Sequence, residues 1–310
     1  MSILRKPKNL KTGDTVAIVS TARKISLKEI KYAIEVYESW GLKVVIGETI
    51  GAEENQYAGS DKLRTKDFQK MLDNEIIKAI FCARGGYGTI RILDKLDFTK
   101  FLKTPKWIVG YSDVTVLHAH INNYLAVQTL HATMPINFKE NTKETLTTLK
   151  ASLFGKKLSY KFITNKKNKL GKVKGYIIGG NLSILYSILG TNSGFNTDNK
   201  ILFIEDLDEM VYHIDRMIIA LKRAGKFNKI KALLVGGMTE MKDNTKEFNY
   251  PTNNPFGKTV EEIILEHTNE FNFPIYFNFP SGHQKNNNAI IFGKEIKLSL
   301  EKGKNKIDFL

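Results

Sequence analysis

Trp107-Ile-Val-Gly-Tyr-Ser-Asp-Val-Thr115 sets a short apolar run directly against a glycine, a serine and a change of pattern. Trp107–Val109 has the composition of a buried strand, and from about Asp113 to Tyr124 the spacing becomes helical. A strand that turns at once into a helix is the building unit of an α/β fold. The unit recurs toward the N-terminus. Thr15–Ser20 (TVAIVS) is a β-branched apolar run, followed by Ser26–Trp40, in which Ile30, Ala33, Ile34 and Tyr37 share a helical face. Ser26 and Glu29 form a capping-box pattern at its start, and Gly41 suits its end. Val44–Ile46 and Ile76–Cys82 read as two more strands, with a polar-faced helix over Asp61–Leu72 between them. Alternation at this spacing predicts a parallel, Rossmann-like sheet covered on both faces.

Beyond Tyr124 the pattern changes. Lys139–Lys174 is rich in Lys, Thr and Asn and weak in periodicity, the composition of a domain junction. The expected division is an N-terminal domain over 1–140, a junction over 141–174 and a smaller α/β domain over 175–310. The second domain should hold helices near Asn181–Leu189, Val211–Ala224 and Thr259–His267. Its strands should be Ile201–Ile204, Ala232–Val235 and Ile275–Phe279. The tail Ala289–Phe309 alternates like a β-hairpin, with turns at Gly293 and Gly303.

Composition narrows the classes. The chain has 310 residues, 42% hydrophobic and 25% charged, which excludes a disordered or fibrous protein. One cysteine, Cys82, excludes an intrachain disulfide or a Cys-rich zinc module, and its place in an apolar strand makes it core rather than nucleophile. The formal charge is +15, but of 47 basic residues only 7 are arginine, leaving 40 lysines spread along the chain. Base and phosphate readers favour arginine forks, so nucleic acid is not the expected partner. No run reaches the ~18 apolar residues of a membrane span, and the start lacks the apolar core of a signal peptide. A soluble cytoplasmic protein is expected.

Ligand sites in parallel sheets gather at the carboxyl ends of strands. Three chemically able residues sit there: Ser112 after Trp107–Val109, Glu205 after Ile201–Ile204 and His283 after Ile275–Phe279. Ser112 lies on a tight strand-to-helix turn, where free N–H groups and the helix dipole face its hydroxyl. That suits an exposed nucleophile, although Val114 stands where a nucleophile elbow has glycine, and simple helix capping suits Ser112 as well. Arg84-Gly-Gly-Tyr-Gly88 follows the strand Ile76–Cys82. Its glycines let backbone N–H groups approach a ligand, as an oxyanion hole requires, or simply make a turn. His118, His120, His131, His213 and His267 lack ligand-like spacing, and no HExxH or acidic cluster points to a metal. Asp215-Arg216 reads as a structural ion pair or helix cap.

These motifs, in order along nearly the whole chain, resemble the LD-carboxypeptidase family of serine peptidases. The likeness rests on Gly13–Val19, Arg84–Gly88, Gly110–Asp113, Gly179-Gly-Asn-Leu182, Glu205-Asp206, Ile214–Met217 and Phe279-Pro-Ser-Gly-His283. It implies a Ser–His–Glu triad of Ser112, His283 and Glu205, with the backbone N–H groups of Gly86 and Asp113 as oxyanion hole and no metal or cofactor. The implied reaction is removal of terminal D-alanine from muropeptide tetrapeptides during cell-wall recycling, by a cytoplasmic homodimer acting away from membranes and nucleic acid. A related branch of the family gives microcin immunity by cleaving peptidyl-nucleotide amides, and a non-catalytic peptide-binding relative is the alternative of another class. Arg84, by charge and position, is the candidate for the substrate's terminal carboxylate.

Overall fold

The computed structural model describes residues 4–169, 171–301 and 304–310. The chain opens with β1 (Thr15–Val19), α1 (Leu27–Ser39), β2 (Lys43–Ile46), α2 (Asp61–Asp73) and β3 (Ile77–Cys82). Short helices α3 (Ile90–Leu93) and α4 (Thr99–Lys103) lead to β4 (Trp107–Gly110), α5 (Thr115–Tyr124) and β5 (Thr129–His131). Then come α6 (Lys143–Leu153), β6 (Ser159–Ile163), β7 (Lys172–Asn181), α7 (Leu182–Ser187), β8 (Lys200–Leu207), α8 (Val211–Arg223) and β9 (Ala232–Thr239). The last elements are α9 (Val260–Thr268), β10 (Ile275–Tyr276), β11 (Ile290–Phe292), β12 (Glu295–Glu301) and β13 (Lys304–Phe309).

Two sheets result. The first runs β11-β5-β4-β3-β1-β2 and is parallel except for β11, which pairs antiparallel with β5. The second runs β10-β9-β8-β7-β12-β13-β6, parallel from β10 to β7 and antiparallel beyond. The apolar runs are continuous because their strands are buried on both faces. Ala17, Val19, Ile80, Cys82, Leu202 and Ile204 join one core, and Val16, Ile18, Ala79, Phe81, Ile201 and Phe203 the other. Each core crosses from one sheet to the other. At the start of α1 the expected capping box is present: the Ser26 hydroxyl accepts from Glu29 N–H, and the Glu29 carboxylate accepts from Ser26 N–H at 2.7 Å.

Three details differ from the reading of the sequence. The stretch 141–174 contains α6, β6 and the start of β7. Its periodicity is weak because α6 buries hydroxyls (Thr145, Thr148, Ser152) among its apolar residues and β6 is an edge strand. Gly293 does not turn a hairpin. It lies between β11 in the first sheet and β12 in the second, and its N–H bonds Ile177 O at 2.7 Å. The hairpin of the tail is β12–β13, and the turn expected at Gly303 lies outside the described residues. Asp215 and Arg216 do not pair with each other. Asp215 bonds His267 Nε2 at 2.7 Å, tying α8 to α9, while Arg216 lies over the Tyr212 ring.

Among the described residues no helix is long and apolar enough to cross a membrane, and no group of His, Cys, Asp and Glu could hold a metal ion. β7 approaches β8 so closely at Gly179 (φ +138°) that a methyl group there would land on the Phe203 carbonyl. Gly179→Ala should therefore lower stability by about 3 kcal/mol or more, from clash and backbone strain together. A urea unfolding curve measures it, and an unchanged midpoint would contradict the close approach.

Candidate active site

β4 ends at Gly110, and the chain turns sharply through Tyr111 into a 3-10 turn at Ser112–Val114 that continues as α5. Ser112 has φ +61°, a left-handed conformation that costs a non-glycine residue on the order of 1 kcal/mol or more and is typical of strained functional turns. The glycine missing after the serine is replaced from before it. Val114 folds back over Gly110, where a Cβ would lie 2.8 Å from Val114 Cγ2, so Gly110 supplies the room the turn needs. Below the turn, His118 Nε2–H donates to Gly110 O at 2.9 Å and holds the strand end.

The glycine loop lies against this turn. A Cβ at Gly85 would be 3.1 Å from Ser112 Cβ and 3.2 Å from its Oγ. Two buried groups lock the loop. Asp113 Oδ2 accepts from Thr89 N–H at 2.8 Å, and the Arg64 guanidinium donates to Thr21 O at 2.6 Å and Gly88 O at 2.9 Å. Gly86 thus follows the glycine that touches Ser112, and Asp113 is the next residue of the turn itself.

Glu205 and His283 come from the second sheet. The β8–β9 register shifts between Ile204 and Asp206, a bulge that re-aims the buried Glu205 side chain. Glu205 Oε2 accepts from His283 Nδ1 at 2.7 Å and from His283 N–H at 3.2 Å. Gly282 (φ +102°) permits this, since a Cβ there would be 2.6 Å from Oε2. Thr239 Oγ1 donates to His283 O at 2.8 Å from the other side. The bond to Nδ1 leaves Nε2 as the basic nitrogen. Burial opposes a charged imidazole, but Glu205, its hydrogen bond, Asp206 and Glu240 together outweigh burial and raise the pKa of His283 above 6.5.

Tyr111 joins the two halves. Its ring lies 4.8 Å from that of His283, centroid to centroid, so the residue before Ser112 packs on the imidazole. Among the described residues no hydrogen bond links Ser112 to His283; in unliganded hydrolases this bond is often long and tightens with substrate. Burial pushes the Cys82 thiol up to about 12, consistent with a core residue. Arg84 donates to Lys24 O at 3.3 Å and lines a cavity of about 270 Å³ with Glu29 and Glu53. Sequence reasoning gives Tyr111 and Arg23 no role and takes Asp206 as solvated, whereas the structure buries it beside Glu205. Tyr111 directly follows β4 and Arg23 lies four residues past β1, so the strand-end rule that found Ser112 could have found both.

The chain matches the family described as LD-carboxypeptidase N-terminal domain over residues 16–132 and LD-carboxypeptidase C-terminal domain over 174–298. It is 36% identical over 239 residues to a probable murein peptide carboxypeptidase of Bacillus subtilis, covering 76% of this chain and 75% of that one. It is 28% identical over 264 residues to a microcin C7 self-immunity protein of Escherichia coli, covering 73% and 76%. The crystal structure of a muramoyltetrapeptide carboxypeptidase from Oxalobacter formigenes superposes with a TM-score of 0.84 at 26% identity, over 95% of this chain and 98% of that one.

Burial lowers the pKa of His118 to about 4, and that of the buried His131 well below its ordinary value. The unfolded chain takes up these protons near 6.5 and the folded chain refuses them, so stability falls as pH drops from 6.5 toward 4. His118 alone should contribute about 3 kcal/mol to that loss. His118→Gln keeps a donor for Gly110 O without titrating. Urea melts at pH 4.5 and 7 should show a smaller acid loss in the variant, and equal losses would refute the assignment.

Proposed function

Because the chain belongs to the LD-carboxypeptidase family, we propose that it is a serine LD-carboxypeptidase releasing terminal D-alanine from muropeptide tetrapeptides, with Ser112, His283 and Glu205 as its triad. The observation that carries the reading is the Glu205–His283 hydrogen bond of 2.7 Å set against Tyr111, the residue beside the strained Ser112. In this reading His283 Nε2 takes the Ser112 proton as Oγ attacks the amide carbonyl between the L-configured centre and D-alanine. Glu205 orients the imidazole and stabilises its cation. The oxyanion is held by the N–H groups of Gly86 and Asp113, each donor contributing about 3 kcal/mol in comparable sites. His283 then gives its proton to the leaving D-alanine amine, and water, activated by the same imidazole, hydrolyses the acyl-enzyme and regenerates Ser112. The reading includes a homodimer in the cytoplasm, supported by the family resemblance.

Ser112→Ala should leave the unfolding midpoint near that of the wild type and bring D-alanine release from a muramoyl tetrapeptide to background. Full activity in that variant would sink the assignment. Assaying a peptidyl-nucleotide amide beside the tetrapeptide separates the muropeptide reading from the microcin-immunity one.

The pH profile tests the dyad. Neutral His283 is the active base, and its pKa is raised, so kcat/KM should climb with pH along an acid limb lying above 6.5. Glu205→Gln removes the charge that raises it. The limb should move to lower pH while the plateau falls by roughly 10²- to 10⁴-fold. An acid limb that does not move would detach Glu205 from His283 function.

A further inference from the structure

We propose that Arg23, rather than Arg84, forms the subsite for the substrate's terminal carboxylate, in a site whose specificity for a free C-terminal D-amino acid rests on this guanidinium. The inference deepens the carboxypeptidase reading and depends on it. A hydrolase becomes a carboxypeptidase only if a cation sits at a fixed distance from the scissile carbonyl. In a terminal residue three covalent bonds separate the scissile carbon from the carboxylate carbon, a span of no more than about 4 Å. The cation must therefore lie directly beside the oxyanion donors.

Arg23 lies there. Its stem runs over the face of Gly86: a Cβ at Gly86 would be 2.5 Å from Arg23 Cδ, 2.6 Å from Nε and 2.7 Å from Cγ. The absence of a side chain at Gly86 is thus what gives Arg23 its seat, as well as baring the Gly86 N–H. Burial raises the pKa of the Asp113 carboxyl, and the charge of Arg23 opposes this only weakly, after the Thr89 hydrogen bonds and Arg64. The Arg23 guanidinium borders Gly86, one of the two expected oxyanion donors.

The backbone of Arg23 is fixed while its head is uncommitted. Arg23 O accepts from Ser20 Oγ at 2.7 Å, and the residue forms a β-bridge with Tyr57. The side chain is exposed, and among the described residues its guanidinium makes no hydrogen bond and no ion pair. Arg64 is buried on three backbone carbonyls and Asp61, and Arg91 is paired with Asp61. Arg84 instead donates to Lys24 O at 3.3 Å and lines a cavity with Glu29 and Glu53. A planar fork with free donors is the group that recognises a carboxylate with two parallel bonds.

The test compares two substrates: a tetrapeptide ending in D-alanine and the same peptide ending in D-alaninamide, which keeps the scissile bond and removes the anion. The readout is the ratio of kcat/KM for the two, which a merely structural role for the arginine does not move. Wild type should prefer the free acid. Arg23→Met should shrink that preference on the order of 10- to 100-fold, chiefly by lowering activity on the acid. Arg23→Lys should retain part of the preference, and Arg84→Met should retain all of it. A preference kept in Arg23→Met, or lost in Arg84→Met instead, overturns the inference while leaving the carboxypeptidase reading intact. Wild type that cleaves neither substrate overturns both. Unfolding midpoints of the variants confirm that the compared proteins are folded.

Discussion

Thr115 Oγ1 accepts the backbone N–H of Asn181 at 3.0 Å, and Gly180 packs so tightly on the same side chain that a Cβ would be 2.5 Å from it. This contact joins the first turn of α5 to the end of β7, and so one sheet to the other. The expected nucleophile stands three residues before Thr115, while the expected base and carboxylate stand on the second sheet. A single hydrogen bond contributes only about 1 kcal/mol net, so its importance lies in register. A slip of one residue at this seam would carry Ser112 away from the Glu205–His283 pair. Asn181 extends the seam: its Nδ2 donates to Asp206 Oδ1 at 2.8 Å, fixing the residue beside Glu205.

A second constraint is the chain exchange near the C-terminus. After the His283 loop, β11 crosses to the first sheet and pairs with β5, and Phe292 packs near His118, His131 and Phe203. The loop is closed upon itself by Ser281 Oγ to Asn288 O at 2.8 Å and Gly282 N–H to Asn287 Oδ1 at 2.9 Å. His283 is therefore held by its own loop, by Glu205 on β8 and by a strand that belongs to the sheet carrying Ser112. Both cores run across the two sheets, so the candidate site lies at the seam between them.

The electrostatics of the seam oppose the charge of the whole chain. Although the chain carries +15, the seam buries Glu205 and Asp206 side by side. Burial first, and then the charge of Glu205, raise the pKa of Asp206 to about 7, against the hydrogen bonds from Leu207 and Asn181. The buried Glu205 carboxylate meets His283 through Oε2 at 2.7 Å. The lysines are mostly on the surface, and their count says little about the site.

The strands were legible because their burial on both faces leaves continuous β-branched and aromatic runs, and α1 because its cap is local: Ser26 and Glu29 act within one turn. The strand-end rule pointed to Ser112, Glu205 and His283, although Glu205 lies inside β8, and His283 lies seven residues past β10. Short-range signals miss what is bonded only at long range. α6 hides its face behind buried hydroxyls, β6 is an edge strand of the second sheet, and the role of Gly293 depends on strands more than a hundred residues away. By itself the sequence determined the α/β alternation, the family and the polar residues at the strand ends, because those depend on local pattern. Only the tertiary structure decided that Tyr111 meets His283, that Arg23 rests on Gly86 and that Arg84 bonds Lys24 O, because each depends on which non-adjacent surfaces pack together.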